Sequence, residues 1–275
     1  MYPILPFAKF HGTGNDFVLV DNRIARQFST KRIRLWCDRH LGIGADGFIL
    51  LENDTQGADF KMRYFNADGN EASLCGNGSR CAVAFAHYLG IIEKKAAFSA
   101  FDGIHRAEIV KRESPYQWDV ALQMKDITSI EKWDDGYFTD TGSPHFVSFT
   151  EDVQKVNVPE KGKKLRNDKR FVDGCNVNFA SVNKEKLELR TYERGVEDET
   201  LSCGTGAVAA AVIWAFKEKR TDGPHTIPIL TRGGQLEIDF IKKGKRFEQI
   251  YLKGPAIFAF SGEIPIEDNQ DLSYM

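Results

Sequence analysis

Hydrophobic and polar positions along the chain fall into two patterns. Residues 79–89 (SRCAVAFAHYL) and 207–216 (AVAAAVIWAF) are small and apolar on almost every side. A helix with no polar face has nothing to offer water, so both stretches are predicted as buried helices, and Gly90 is placed to stop the first. The other apolar runs are short: 17–20, 48–51, 60–65, 105–110, 118–122, 145–149, 176–182, 187–192, 235–240 and 249–252. They are predicted as strands. The fold class is α+β, with strands wrapped around a central helix, twice. One dense charge run, 160–170 (EKGKKLRNDKR), is expected to be a solvated loop, because Asp168 breaks up the basic block and no aromatic residue accompanies it.

The chain also reads twice. Cys75-Gly76-Asn77-Gly78 recurs as Cys203-Gly204-Thr205-Gly206, an offset of 203 − 75 = 128 residues. The same offset aligns Thr13-Gly14-Asn15 with Thr141-Gly142-Ser143, and Tyr64 with Tyr192. A period this long is no solenoid repeat; it predicts a duplicated lobe. Each copy runs from β-rich sequence through a loop of Asp, Asn, Glu and Gly to C-G-x-G and then a buried helix. Residues 118–124 are expected to cross from one lobe to the other.

Composition narrows the functional classes. The 275 residues suffice for a substantial core. With 37 basic and 39 acidic residues the formal charge is −2, without the positive excess that nucleic acid or a membrane surface demands. The N-terminal segment has no signal-peptide pattern, and the longest apolar run, 207–216, is far short of the roughly 20 residues of a membrane span. A cytoplasmic location is therefore expected. Five cysteines, Cys37, Cys75, Cys81, Cys175 and Cys203, are odd in number and scattered, which argues against a disulfide framework. No C-x-x-C pair or finger-like histidine spacing suggests a metal site, so none is expected. Cys37, Cys81 and Cys175 read as small buried hydrophobes.

Cys75 and Cys203 read differently. Glycines let backbone approach a ligand closely. A helix N-terminus presents unpaired N–H groups and partial positive charge, which eases ionisation of a thiol and offers an anion a dock. Two such turns face to face would hold one carboxylate, with a cysteine on each side of its α-carbon. Loss of the α-proton pushes charge into that carboxylate, where the N–H groups already point. One thiolate takes the proton and the other thiol returns one from the opposite face. A free thiol titrates near ~8.5, so a modest shift poises it for either role. Such an inversion needs neither pyridoxal phosphate nor a metal.

Several segments carry a family resemblance: 7–18 (FAKFHGTGNDFV), 39–47 (RHLGIGADG), 65–71 (FNADGNE) leading to Cys75, 142–145 (GSPH), and 192–195 (YERG) leading to 200–206 (TLSCGTG). Over nearly its full length the chain resembles diaminopimelate epimerases. The resemblance implies two pseudo-symmetric lobes, each a curled mixed β-sheet around a central helix. Residues 1–118 would form the lobe carrying Cys75, and 119–262 the lobe carrying Cys203, with the tail 263–275 returning to the first. It implies interconversion of LL- and meso-2,6-diaminopimelate for lysine and cell-wall precursors, without a cofactor, by a homodimer. Cys75 and Cys203 match the catalytic cysteines. Gly76, Asn77, Gly204 and Thr205 match the carboxylate-binding helix starts. Asn15, Asn66, Asn176, Glu193 and Arg194 match positions that grip substrate, and His145 and Glu193 match positions that tune the thiols. There are departures. Some members carry Gln at the position of Gly47, so one substrate contact is missing here; Ser143 replaces the Asn of G-N-P-H; and the loop before Cys203 is one residue longer than in some relatives.

Rival readings are less well supported. A racemase of the same fold acting on another amino acid, such as proline, would share mainly the cysteine turns. Phenazine-biosynthesis isomerases of this fold would lack the cysteine pair. Gly42-Ile43-Gly44-Ala45-Asp46-Gly47 matches G-x-G-x-x-G, but it leads into a strand-like run rather than a helix, the wrong context for a nucleotide. Disulfide formation between Cys75 and Cys203 is expected only as a side reaction.

Overall fold

The structure is a computed structural model that describes residues 3–72 and 75–266. Contacts divide the chain into two units, Met1–Val120 with Pro255–Met275, and Ala121–Gly254. The limits expected from the sequence are 118/119 and 262/263. Of the expected tail, residues 267–275 lie outside the described residues.

The first unit contains β1 (Ile4–Gly12), β2 (Asn15–Asp21), α1 (Thr30–Cys37), β3 (Gly47–Glu52), β4 (Phe60–Asn66), α2 (Gly76–Tyr88), β5 (Lys95–Ala100), β6 (Gly103–Ser114) and the start of β7 (Gln117–Gln123). Pairing alternates along the chain: β1–β2 antiparallel, β2–β3 parallel, β3–β4 antiparallel, β4–β5 parallel, β5–β6 antiparallel. A parallel pair needs a crossover, and α1 and α2 supply the two. The second unit holds β8 (Glu131–Trp133), β9 (Gly136–Asp140), β10 (Pro144–Phe149), α3 (Val158–Arg166), β11 (Asn176–Asn183), β12 (Lys186–Glu193), β13 (Asp198–Thr200), α4 (Gly204–Lys217), β14 (Gly223–Thr231), β15 (Gly234–Lys243) and the start of β16 (Arg246–Pro265). Its alternation is the same: β9–β10 antiparallel, β10–β11 parallel, β11–β12 antiparallel, β12–β14 parallel, β14–β15 antiparallel. The duplication seen in sequence is thus repeated in strand pairing, and α2 and α4 start at residues 76 and 204, again 128 apart.

The latter half of β16 pairs with β1, placing Ile4 opposite Pro265, so the strands of the first unit close into a ring. Every residue of α2 from Gly76 to Ala86 is buried. In α4, Gly204 and all of Gly206 to Ala215 are buried. These are the two core helices expected from their all-round apolar pattern. Strands β2 and β3 are buried on both faces. Val18, Val20, Phe48 and Leu50 pack with Ile33 and Trp36 of α1 in one cluster. Strand alternation directs their neighbours Phe17, Leu19, Ile49 and Leu51 to the opposite face, where they too are fully buried. Such strands read as unbroken apolar runs.

The charge run at 160–170 is not a loop: Val158–Arg166 forms α3. Its position explains why. It spans the crossover between the parallel strands β10 and β11, where a helix is the usual connection. Asn157 caps its N-terminus, Glu160 lies in the first turn, and Lys163, Lys164 and Arg166 lie in the last, each charge matched to the helix dipole. Val158 and Gly162 are buried, and a side chain at Gly162 would overlap the Tyr192 ring. The lysines that suggested a loop are the solvated face of this short helix. Strand β1 was also missed, since Lys9 and His11 break its apolar pattern; Lys9 is buried and paired to Asp16 at 2.7 Å. Among the described residues no helix is long and apolar enough to cross a membrane.

Candidate active site: two cysteine turns

Cys75 is the N-cap of α2, with extended backbone (φ −105°, ψ 119°) and no side-chain cap bond. Its carbonyl accepts from Ser79 N at 2.8 Å, so the helix starts at once behind the thiol. Asn15, at the start of β2, faces it. Asn15 Oδ1 accepts from Cys75 Sγ at 3.7 Å and from Asn77 Nδ2 at 3.3 Å. Asn15 Nδ2 donates to Asp46 Oδ2 at 2.7 Å. That charged acceptor sets the amide with its oxygen toward the thiol. Asp46 is itself anchored: Arg39 bridges it at 2.8 Å and Asp16 at 2.7 Å. Burial pushes the Asp16 carboxyl up, but hydrogen bonds from Arg39 and Lys9 more than offset this and hold it well below the usual carboxylate range. Asn15 therefore stands beside a cluster in which the Asp16 carboxylate stays ionised near neutral pH.

Beneath the same turn lies a residue that sequence reasoning missed. Arg80 is fully buried. Its guanidinium donates to Asn77 Oδ1 at 3.0 Å, Thr13 Oγ1 at 3.3 Å and Gly76 O at 3.4 Å. The available signal was a lone cation in an otherwise small, apolar helix pattern.

Cys203 is the matching N-cap of α4 (φ −115°, ψ 111°), again without a side-chain cap bond. It is buried, and its thiol is pushed well up by burial first and then by the negative charge of Glu193, while the Thr205 hydroxyl and the Gly206 N–H pull the other way. Cys203 Sγ lies 3.5 Å from Thr205 Oγ1, and His145 Nε2 lies 2.9 Å from that same hydroxyl. His145 is fully buried on β10, and burial, with Arg194 nearby, lowers its pKa to about 3. The imidazole is therefore neutral under ordinary conditions. Its Nδ1 lies 3.1 Å from Asn178 Nδ2. Asn178, also missed in the sequence, shares one face of β11 with Asn176 two residues earlier, an i, i+2 pair of amides in an apolar strand.

The second glycine of C-G-x-G has a steric reason in this unit. A Cβ at Gly206 would overlap Asn178 Oδ1. Asn178 has no room to retreat, because Nδ2 also donates to Phe146 O at 3.0 Å and Oδ1 accepts from Thr191 Oγ1 at 2.9 Å. Gly206→Ala is thus expected to lower stability by about 1–3 kcal/mol, as overpacking does, and to disturb the Cys203 turn. Urea unfolding checks this; an unchanged midpoint would show that Asn178 gives way freely.

The remaining expected site residues divide by surroundings. Gly76, Asn77, Gly204 and Thr205 form the first turns of α2 and α4. Glu193 ends β12, and its negative charge helps to hold the Cys203 thiol up. Asn176 is fully engaged within its own unit: Nδ2 donates to Ser143 Oγ at 2.8 Å and Pro144 O at 3.3 Å, and Oδ1 accepts from Arg194 N at 2.9 Å. It ties the loop before His145 to the backbone of Arg194. Among the described residues the Arg194 side chain makes one long bond, to Asp173 O at 3.4 Å. Asn66 is exposed at the end of β4, in a turn closed by Gly69 N to Asn66 O at 2.9 Å. Gly47 packs against Tyr64, whose ring a side chain there would strike. Burial pushes the thiols of Cys37 and Cys175 up to about 12 and that of Cys81 higher still, consistent with inert core residues.

Comparison with known proteins adds the family. The sequence model described as diaminopimelate epimerase matches residues 7–124 and 137–259. A diaminopimelate epimerase of Flavobacterium psychrophilum is 46% identical over 260 residues, covering 93% of this chain and 98% of that protein. One of Aquifex aeolicus is 39% identical, covering 96% and 99%. Among solved structures, a phenazine biosynthesis protein of the PhzF family from Bacillus anthracis superposes with a TM-score of 0.77 at 14% identity, covering 96% of this chain and 100% of that one. A hydroxyproline epimerase from Agrobacterium vitis, with bound trans-4-hydroxy-L-proline, superposes with a TM-score of 0.71 at 14% identity, covering 98% and 95%. At such identity the structural likeness shows the fold alone, a two-lobed α+β fold of the epimerase type. The sequence matches go further: this chain is an isomerase and belongs to the diaminopimelate epimerase family.

Proposed function

We propose that the chain converts LL-2,6-diaminopimelate to meso-2,6-diaminopimelate with two thiols and no cofactor, in the supply of lysine and cell-wall precursors. The observation that carries this reading is the repeated N-cap cysteine. Each unit holds one thiol at the start of a buried helix, uncapped by side chains, at the same point of the repeat. Relatives at 39–46% identity are named diaminopimelate epimerase, which supports the substrate.

In the proposed mechanism, the reacting carboxylate docks on first-turn N–H groups of Gly76, Asn77, Gly204 and Thr205. Charge that develops in it as the α-proton leaves meets donors already aimed at it. One thiolate takes the proton and the other thiol delivers one to the opposite face. Glu193 receives the proton that ionises Cys203. Asn15, Asn66, Asn176 and Arg194 orient the substrate; Arg194, with few bonds of its own, suits the distal carboxylate. Asn176 acts through Ser143 and the Arg194 backbone as much as by direct contact. The working form expected is a cytoplasmic homodimer. A second reading, inversion of a cyclic amino acid such as proline, has the likeness to the hydroxyproline epimerase behind it.

The deciding experiment is proton NMR of LL-diaminopimelate with the reduced protein in D2O, without added cofactor. Loss of the α-proton signal with growth of the meso isomer is expected. Inversion of proline without action on diaminopimelate would replace the substrate, and exchange of neither would end the catalytic reading.

A further inference from the structure

A chain of hydrogen bonds in the second unit has a polarity that can be read from its fixed end. Asn178 Oδ1 accepts from the Thr191 hydroxyl at 2.9 Å, and its Nδ2 donates to the Phe146 carbonyl at 3.0 Å. A carbonyl only accepts, so the amide cannot be turned over. The same Nδ2, 3.1 Å from His145 Nδ1, must then be a donor there as well. An imidazole nitrogen that accepts carries no proton, so in the neutral ring the proton sits on Nε2. Nε2–H donates to Thr205 Oγ1 at 2.9 Å. With one lone pair so engaged, the Thr205 hydroxyl has its own proton free for Cys203 Sγ, 3.5 Å away, a contact in which either atom can donate.

We propose that Asn178 is a positioning residue of the Cys203 turn: by donating to His145 Nδ1 it selects the Nε2–H tautomer and thereby leaves the Thr205 hydroxyl proton to be donated to Cys203 Sγ. A donor aimed at sulfur favours the thiolate over the thiol. Without Asn178 the imidazole is free to carry its proton on Nδ1, and Thr205 then turns its hydrogen to Nε2 and its lone pairs to the sulfur. The relay therefore works against Glu193 and burial, which both favour the thiol. Arg194 acts on the His145 ring and opposes its protonation. His145 thus serves as a fixed dipole, with no proton of its own gained or lost. The role of Cys203 as acid and base rests on the two-thiol reading above; the wiring of its hydrogen bonds does not.

The test is alkylation by iodoacetamide across pH, followed peptide by peptide with mass spectrometry, on the full-length reduced protein without substrate. Asn178→Leu and Thr205→Val are each expected to raise the apparent pKa of Cys203 by about one unit, a roughly tenfold slower reaction at a fixed pH below it. The double variant should shift no further than Thr205→Val alone, since both changes remove one donor. Thr205→Ser keeps the hydroxyl and should titrate like the parent. Cys75 should alkylate unchanged throughout. Asn178→Ser, too short to reach Nδ1, replaces Asn178→Leu if the latter does not fold. An unchanged Cys203 titration in the Asn178 variants, or additive shifts in the double variant, would overturn the proposal. Failure of the wild type to epimerise diaminopimelate would remove the proposed function and leave this result standing.

Discussion

Cys75→Ser and Cys203→Ser are each expected to slow epimerisation by about a thousandfold or more, the range that a positioned acid or base supplies. Serine keeps the shape of the side chain but not its acidity. A hydroxyl at the N-terminus of α2 or α4 still feels the helix dipole, yet its proton is held far too tightly to exchange with an α-carbon near neutral pH. The double variant should be little worse than either single one, because residues acting as one unit lose their joint contribution with the first removal. Isotope exchange gives a sharper readout. With one thiol left, α-proton exchange into D2O should survive weakly for one stereoisomer, without inversion. The two single variants should prefer opposite isomers. Full inversion rates in either single variant, measured against meso-diaminopimelate formation, would exclude that thiol from the proton transfer.

Replacing Arg80 by Met should raise KM about tenfold to a hundredfold, the size of a lost charge-assisted hydrogen bond, with little loss of thermal stability. Arg80 is fully buried, and among the described residues it forms no ion pair with a carboxylate, while its Nε has no hydrogen-bond partner. It also lies near the positive end of α2, where a cation opposes the helix dipole. Burial lowers its pKa, with the Cys81 and Cys75 thiols acting the other way. An uncompensated buried charge generally weakens a fold, and an apolar isostere is often tolerated or stabilising. What the guanidinium supplies is local. It holds Asn77 Oδ1 at 3.0 Å, which turns Asn77 Nδ2 toward Asn15, and it adds positive potential where a carboxylate is proposed to dock. The check is steady-state kinetics beside a thermal melt. A collapsed melting temperature with an unchanged KM would make Arg80 a purely structural residue.

Both cysteine turns were legible because their parts are adjacent in sequence. C-G-x-G followed by a stripe-free apolar run states the turn, the thiol and the buried helix within some fifteen residues. The parts that were not legible depend on distant partners. Asn178 and His145 are 33 residues apart, His145 and Thr205 are 60 apart, and Arg80 and Thr13 are 67 apart. Asn176 was legible as a residue of interest, but not in the direction of its bonds, which run to Ser143, Pro144 and Arg194. Helix α3 was hidden by its own lysines, since local charge says solvated while only the parallel pairing of β10 and β11 says crossover.

Taken by itself, the sequence determined the two core helices, the duplication at 128 residues and the placement of a thiol at each helix start, because hydrophobic period, glycine spacing and repeat offset are all local quantities. Tertiary structure alone decided which polar groups those thiols meet and with what polarity. Burial made Arg80 an uncompensated cation and His145 a neutral ring, and the fixed acceptor at Phe146 O oriented Asn178 and, through it, the hydroxyl beside Cys203. Desolvation and hydrogen-bond direction are properties of an environment, and that environment exists only once the distant strands have paired.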